Sequence, residues 1–221
     1  MTHLINFLSK QDIQTLEESF AKTEWQDGKA TASGSAKERK KNWQISEADL
    51  KVDPVFRRLK QFMMDHDGFK FMAFPHKIIN IRAAKYGLGD GYGWHVDSPT
   101  MGGYRSDISF TIFLREKDAY EGGELEFDFG THKMRVKGER GQMVFYPTGV
   151  LHRVSPVTKG ERVVIVGWIQ SLISVAEDRD QLALLFSETY RLRHKFCPDP
   201  TDQDFDALNR AVQHMIRRFS A

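Results

Sequence analysis

The sequence predicts a mainly β protein with helices on either side of a central β region. From about residue 71 to residue 170, short runs rich in β-branched and aromatic residues alternate with turns that contain Gly, Pro and Asp. Helical periodicity is confined to the stretches before and after that region. Many short strands at close, regular spacing are typical of an antiparallel barrel or a double-sheet jelly roll, so this is the fold class that we expect.

The N-terminal part, residues 1–70, is expected to contribute helices that pack on the core. Residues 9–23 have apolar side chains at helical spacing, and Ser9 with Asp12 predicts a capping box at the start of this helix. A second helix is expected over residues 54–65, because a proline at the first position suits the first turn of a helix.

The segment between these helices, residues 27–42, reads "DGKATASGSAKERKKN". It is small, polar and basic, with almost nothing to bury, which predicts a mobile surface loop. A lid over a functional site is the alternative interpretation.

Residues 71–173 are expected to form the core, and residues 174–221 a helical extension packed on it in one compact unit. The clearest strand runs are residues 77–86, 107–114, 124–129, 132–136, 142–147 and 161–170. The extension contains two amphipathic stretches, residues 177–196 and 202–219.

Composition limits the function classes. The chain has 221 residues, 40% hydrophobic and 28% charged, with a net charge of +2, which is too balanced to indicate a nucleic-acid-binding protein. Its single cysteine, Cys197, excludes an intrachain disulfide and fits a reducing compartment. Neither a signal peptide nor an apolar run of about 20 residues is present, so we expect a cytoplasmic protein without membrane contact.

Two polar residues in "WHVD", His95 and Asp97, predict part of a metal site. In an extended segment these two side chains point to the same face, and Val96 between them turns the other way, into packing. The best candidate for a third ligand is His152, which follows the turn "PTG" and stands at the head of a strand. Two histidines and one carboxylate on one face of a metal suit a non-haem Fe(II) enzyme that activates O2.

Such enzymes usually obtain two electrons from 2-oxoglutarate, whose distal carboxylate needs a cationic partner, for which arginine is the best choice. Arg162 lies ten residues beyond His152. A hairpin through "VTKG" is expected to bring its strand back beside that of His152. Taken alone, Arg162 is better explained as an exposed arginine at a strand edge, but the histidine and aspartate set favours the functional role.

The motifs "YGLGDGYGWHVDSP", "RSDISFTIFLREKDAYEGGELEF" and "GQMVFYPTGVLHRVSPVTKGERVVIVGWIQSLI" resemble the Fe(II)- and 2-oxoglutarate-dependent dioxygenases. The resemblance is to the prolyl-4-hydroxylase-like branch, and within it to the bacterial PKHD-type hydroxylases. It covers roughly residues 80–173. It implies a double-stranded β-helix core (jelly roll, cupin-like), with His95, Asp97 and His152 as iron ligands and Arg162 on the C5 carboxylate of 2-oxoglutarate.

The resemblance also implies a hydrogen bond from Tyr86 near the cosubstrate. Relatives of this branch can have a second tyrosine near position 113, whereas this chain has Phe113, which cannot donate a hydrogen bond. Ser109 or Thr111 is the expected substitute. The "GGEL" stretch, residues 122–125, is expected to be a turn that feeds a strand. Trp94 and Trp168 are expected to be packing residues.

The activity implied is hydroxylation of an unactivated C–H bond in a peptidyl or amino-acid-like substrate, prolyl among the candidates. Succinate and CO2 are released, and ascorbate (vitamin C) is a candidate reductant. A free small metabolite is the alternative substrate, and a homo-oligomer is compatible with the sequence. A non-catalytic cupin-like sensor of iron or 2-oxoglutarate is the alternative from another class.

Overall fold

The computed structural model describes residues 2–31, 34–45, 54–197, 199, 203 and 205–220. The protein is mostly antiparallel β-sheet with flanking helices, and two facing sheets form the jelly roll that the sequence predicts. The strands are β1 (His3–Asn6), β2 (Gln26–Asp27), β3 (Lys40–Lys41), β4 (Trp43–Ile45), β5 (Pro75–Tyr86), β6 (Gly91–His95), β7 (Thr100–Met101), β8 (Tyr104–Arg105), β9 (Ile108–Phe113), β10 (Tyr120–Gly122), β11 (Leu125–Asp128), β12 (Lys133–Val136), β13 (Gln142–Pro147), β14 (Leu151–Val154), β15 (Val157–Gly160) and β16 (Arg162–Ser171).

The helices are α1 (Lys10–Phe20), α2 (Gly34–Glu38), α3 (Pro54–Asp65), α4 (Asp67–Ala73), α5 (Ala176–Phe196) and α6 (Asp206–Phe219), with two short 3-10 turns at Gly28–Thr31 and Lys117–Ala119. The expected capping box is confirmed, because Ser9 Oγ accepts a hydrogen bond from the Asp12 amide while the Asp12 carboxylate accepts one from the Ser9 amide. All six predicted strand runs are confirmed as β5, β9, β11, β12, β13 and β16.

The larger sheet has seven strands in the order β1-β13-β9-β16-β5-β4-β2, and the smaller has five in the order β12-β11-β14-β6-β3. Because side chains alternate along a strand, each central strand of the larger sheet supplies two different surfaces. In β9, Ile108, Phe110 and Ile112 join the core cluster under helices α1, α3 and α4. Ser109 and Thr111 lie on the opposite face, toward the smaller sheet, and line a cavity between the sheets.

The segment before residue 71 contributes more than helices and a loop. Strands β1, β2 and β4 extend the larger sheet and β3 extends the smaller one. Most of the described residues in the range 27–42 are exposed, as the sequence predicts, but Gly28, Lys40 and Asn42 are buried. Pairing of β3 with β6 supplies the backbone partners that burial of this polar segment requires.

The C-terminal helices pack through a small cluster of their own. Phe74, Ile173 and Leu182 are buried together in it, and the buried Arg179 donates a hydrogen bond of 2.8 Å to the carbonyl of Ile173. The division of the chain at residues 70 and 173 stays a prediction. In the described part of the chain, no helix has the length and apolar character needed to cross a membrane.

Candidate active site

The three predicted metal ligands meet at the edge where β6 and β14 run side by side. His95 is the last residue of β6 and lies opposite His152 of β14 in the antiparallel register. Asp97 follows just beyond the end of β6. One ligand atom from each residue lies within 4.8 Å of the other two, and this is the one such group of three among the described residues.

The imidazole rings of His95 and His152 are oriented so that their Nε2 atoms are available to a metal. Nδ1 of His95 lies 2.8 Å from the carbonyl oxygen of Gly93, and Nδ1 of His152 lies 2.9 Å from that of Val150. A carbonyl only accepts, so each Nδ1 carries the proton and each Nε2 presents a lone pair. Burial, and then the neighbouring His152, lower the pKa of His95, which favours the neutral ring that metal binding needs.

The Asp97 carboxylate is held from two sides. Each histidine Nε2 lies 3.7 Å from one of its oxygens, too far for a hydrogen bond but suited to a shared cation. Oδ2 accepts hydrogen bonds of 2.8 Å from Ser109 Oγ and of 2.8 Å from Trp168 Nε1. Trp168 and Ser109 are paired in the register of β16 and β9. Two residues of the larger sheet therefore orient Asp97, which follows β6 of the smaller sheet.

This network corrects two expectations. Trp168 is not a plain packing residue, because it lines the cavity and donates to Asp97. Ser109 was expected to be available for 2-oxoglutarate, but its hydroxyl is used on Asp97. Groups that orient a metal ligand commonly tune its affinity, so both residues would act on a bound metal through Asp97.

The residues beside His95 also differ from expectation. Val96 is not buried in packing: its exposed fraction is 52%, and it lies at the cavity wall. Strand β6 ends at His95, so the extended geometry assumed for residue 96 does not continue. Trp94 is half-buried outside the cavity, with Lys133 and Arg153 over its ring, as befits a packing residue.

Arg162 approaches the same cavity from the larger sheet. The expected hairpin is wrong: residues 157–160 form β15, which pairs with β10, while β14 and β16 belong to different sheets. As a result Arg162 lines the cavity from the larger sheet, opposite the three candidate metal ligands, instead of lying beside them. The cavity between them has a volume of about 500 Å³.

Arg162 is a buried cation with unused donors. Its exposed fraction is 1%, and its Nε and Nη1 atoms have no hydrogen-bond partner among the described residues. Tyr86 lies opposite it in the register of β5 and β16, with the tyrosine ring centroid 5.0 Å from the guanidinium carbon. Burial raises the pKa of Tyr86, so its hydroxyl stays protonated and can donate.

An uncompensated buried guanidinium is costly unless an anion accompanies it, so this end of the cavity is built for a carboxylate. Phe113 lies with its ring centroid 5.9 Å from the Arg162 guanidinium carbon and offers no polar atom, as expected. Thr111 lines the cavity and has a hydroxyl to offer.

Several residues in or beside the cavity were not found from the sequence, among them Tyr120, Tyr146 and Lys40. Tyr120 and Tyr146 have raised pKa values, mainly through burial, with the Arg162 charge opposing the rise in both. Tyr146 could have been found from the alternation in β13, where it shares an inward face with Val144. Lys40 lines the cavity although it comes from the segment expected to be a loop.

Comparisons with known proteins show the family to which the chain belongs. The model of the 2OG-Fe(II) oxygenase superfamily matches residues 81–170. A PKHD-type hydroxylase of Maricaulis maris is 33% identical over 220 residues, covering 100% of this chain and 99% of that protein. A PKHD-type hydroxylase of Hyphomonas neptunium is 38% identical over 222 residues, covering 97% of each chain.

Among solved structures, a prolyl hydroxylase from Trichoplax adhaerens, in complex with a hypoxia inducible factor peptide fragment, has a similar fold. The TM-score is 0.53 at 15% sequence identity, and the match covers 82% of this chain and 86% of that one.

The fold and the site thus define a 2OG-Fe(II) oxygenase, a class whose members use Fe(II), 2-oxoglutarate and O2. Within that superfamily the chain belongs to the PKHD-type hydroxylases. It is therefore an enzyme of the 2-oxoglutarate-dependent hydroxylase type, and the non-catalytic sensor considered from the sequence is not favoured.

Proposed function

We propose that His95, Asp97 and His152 hold Fe(II) and that Arg162, with Tyr86, binds the C5 carboxylate of 2-oxoglutarate. One observation carries this proposal. Three convergent ligand atoms and a buried guanidinium with unused donors share one cavity of about 500 Å³. Two imidazoles and a carboxylate are the ligand set of non-haem Fe(II) oxygenases.

Iron and 2-oxoglutarate, when bound, supply the oxidising power drawn from O2, and 2-oxoglutarate ends as succinate and CO2. The residues of this chain orient and shield that chemistry. Arg162 and Tyr86 fix one end of the cosubstrate by charge-assisted hydrogen bonds to its carboxylate. Trp168 and Ser109 hold the Asp97 carboxylate in place. Buried side chains such as Leu125 line the inner wall and exclude water.

For the substrate, we propose an unactivated C–H bond of a peptidyl or amino-acid-like molecule, with proline as the first residue to test. The similar fold of the Trichoplax prolyl hydroxylase, which binds a peptide, supports this choice. A free small metabolite is the second candidate. The cavity volume of about 500 Å³ supports it, because cavities of this size commonly enclose whole small molecules.

The experiment is succinate release with Fe(II) and 2-oxoglutarate, measured over proline-containing peptides, free amino acids and cell extract. A peptide that stimulates succinate release, and itself gains one oxygen atom, supports the first substrate class, whereas stimulation by the small-molecule fraction alone supports the second. Tyr86→Phe should weaken 2-oxoglutarate binding without loss of Fe(II) binding, and unchanged 2-oxoglutarate affinity would contradict the role of its hydroxyl.

Other assignments stay predictions. Ascorbate as a reductant is tested by its effect on the number of turnovers. A homo-oligomer is tested by light scattering, and the cytoplasmic location, predicted from the sequence, by cell fractionation. Absence of nucleic-acid binding is tested by gel shift.

A further inference from the structure

Besides Arg162, the cavity has a buried lysine that is not used by the chemistry proposed above. Lys40 is 5% exposed and lines the cavity. Its Nζ atom donates a hydrogen bond of 2.7 Å to Thr31 Oγ1, which is the one acceptor it has among the described residues. An ammonium carries three donors, so Lys40 retains capacity for another partner.

Lys40 and the expected iron ligand His95 are linked by their contacts with Tyr92. The Lys40 Nζ atom lies 5.2 Å from the ring centroid of Tyr92. The Tyr92 ring in turn stacks on the His95 ring with centroids 3.6 Å apart. Lys40 and the expected iron ligand His95 therefore contact the same aromatic ring and line the same cavity, so a group held by Lys40 would lie near the metal site.

Lys40 forms no ion pair with a carboxylate among the described residues, although the more distant charges of Asp97 and Asp27 act to raise its pKa. Asp97 is the one carboxylate among the described residues that line the cavity, and it faces the two histidines. With the cosubstrate bound, the charges of iron and Arg162 are matched by the two carboxylates of 2-oxoglutarate and that of Asp97. Arg82 also lines the cavity, and its positive charge lowers the pKa of Lys40.

Burying a charged lysine lowers the stability of the folded protein. Burial, and next the charge of Arg82, lower the pKa of Lys40 to about 8. At neutral pH the side chain still carries its proton, so the fold holds a charge that a neutral side chain of the same length would avoid. A cost of this kind is commonly retained where the group serves binding or catalysis.

We propose that Lys40, with the positive charge of Arg82 nearby, binds a carboxylate of the primary substrate and so places a neighbouring C–H bond at the metal; this rests on the proposed function. The carboxylate belongs either to an acidic side chain of a peptide or to the terminal carboxyl group of an amino-acid-like molecule. Both sources offer the same chemistry to Lys40, and the experiment separates them.

The test uses three probes with the enzyme loaded with Mn(II), a redox-stable paramagnetic stand-in for Fe(II), and 2-oxoglutarate. N-acetyl-L-alanine offers a terminal carboxylate, N-acetyl-L-aspartate α-amide a side-chain carboxylate, and N-acetyl-L-asparagine amide neither. We expect at least one carboxylate probe to show metal-induced NMR relaxation that the neutral amide lacks. The stronger of the two carboxylate probes identifies the source.

Three variants assign the effect to Lys40. Lys40→Met should lower the affinity for the carboxylate probe by about ten-fold or more, since a buried ion pair loses one partner. Lys40→Arg should retain this affinity. Lys37→Met is the matched control, because Lys37 is exposed and its substitution removes the same charge. Thermal unfolding of each variant checks that it is folded.

The proposal is overturned if neither carboxylate probe is relaxed by the wild-type enzyme, if the amide is relaxed equally, or if Lys40→Met binds as the wild type does. Failure of the proposed function is a separate result. It would appear as absence of metal and 2-oxoglutarate binding in the wild type, and saturation transfer from the metal-free protein to the probes would still report on Lys40.

Discussion

Replacing Trp168 by phenylalanine tests whether the larger sheet holds the metal ligand of the smaller one. The substitution keeps an aromatic ring on the cavity wall and removes one donor, the Nε1–H that lies 2.8 Å from Asp97 Oδ2. A hydrogen bond to a charged group contributes about 1.5–3 kcal/mol. Because about 1.4 kcal/mol is a ten-fold change in an equilibrium constant, Trp168→Phe should weaken Fe(II) binding by about 10- to 100-fold.

The lower end of that range is expected, since Ser109 Oγ continues to donate to the same carboxylate oxygen. The assay is anaerobic competition for Fe(II) against a chromogenic chelator. Trp94→Phe is the matched control, because Trp94 adjoins His95 in the chain but lies outside the cavity. Fe(II) affinity should be unchanged in this control.

The reasoning is refuted if folded Trp168→Phe binds Fe(II) as tightly as the wild type. It is refuted in another way if Trp94→Phe weakens binding equally, since the effect would then come from general packing near the ligands. A Ser109→Ala variant should weaken binding in the same direction, because it removes the second donor to Asp97 Oδ2.

Three further predictions concern the rest of the cavity. Arg162→Met should lower the affinity for 2-oxoglutarate by about 30-fold or more while Fe(II) affinity stays unchanged, because the cosubstrate loses its buried cationic partner. Calorimetry with each ligand measures the two affinities, and a 2-oxoglutarate affinity equal to that of the wild type would contradict the assignment. Gly123→Ala should also weaken 2-oxoglutarate binding, since its Cβ would lie 3.0 Å from Arg162 Cδ, whereas Gly130→Ala, at a similar positive φ in open space, should change stability alone. Lys40→Met should be more stable than the wild type at pH 7 by up to roughly 3 kcal/mol, because burial lowers the pKa of Lys40 from 10.5 to about 8. The destabilisation of the wild type by the buried charge is full below pH 8 and disappears as the pH rises past 10.5. In urea unfolding, the stability difference between variant and wild type should therefore be smaller at pH 10 than at pH 7, and a pH-independent difference would contradict this origin.

The core strands were predictable because the patterns that identify them lie within short segments of the sequence. Alternation and β-branched composition along β5, β9, β13 and β16 identify strands without knowledge of their partners. The candidate ligands were predictable for a related reason. The chain carries His95, Asp97 and His152 with Arg162 in an order and spacing that few other functions require, and the structure brings all four to one cavity.

The errors concern contacts between distant parts of the chain. Turn composition around residues 157–160 did not reveal that the chain crosses to another sheet before β16. The hydrogen bond between Trp168 and Asp97 joins residues 71 positions apart in the sequence, and no local sequence pattern predicts it. Lys40 looked like part of a solvated loop, since its burial depends on pairing of β3 with β6 about fifty residues later.

The most direct test of the site is the visible charge-transfer band of iron-chelated 2-oxoglutarate, recorded anaerobically after adding Fe(II) and 2-oxoglutarate. The wild-type enzyme should show the band, and Asp97→Ala and His152→Ala should abolish it. Arg162→Met should require more 2-oxoglutarate to reach the same intensity. A band of wild-type intensity in Asp97→Ala would contradict the assignment of His95, Asp97 and His152 as the iron site.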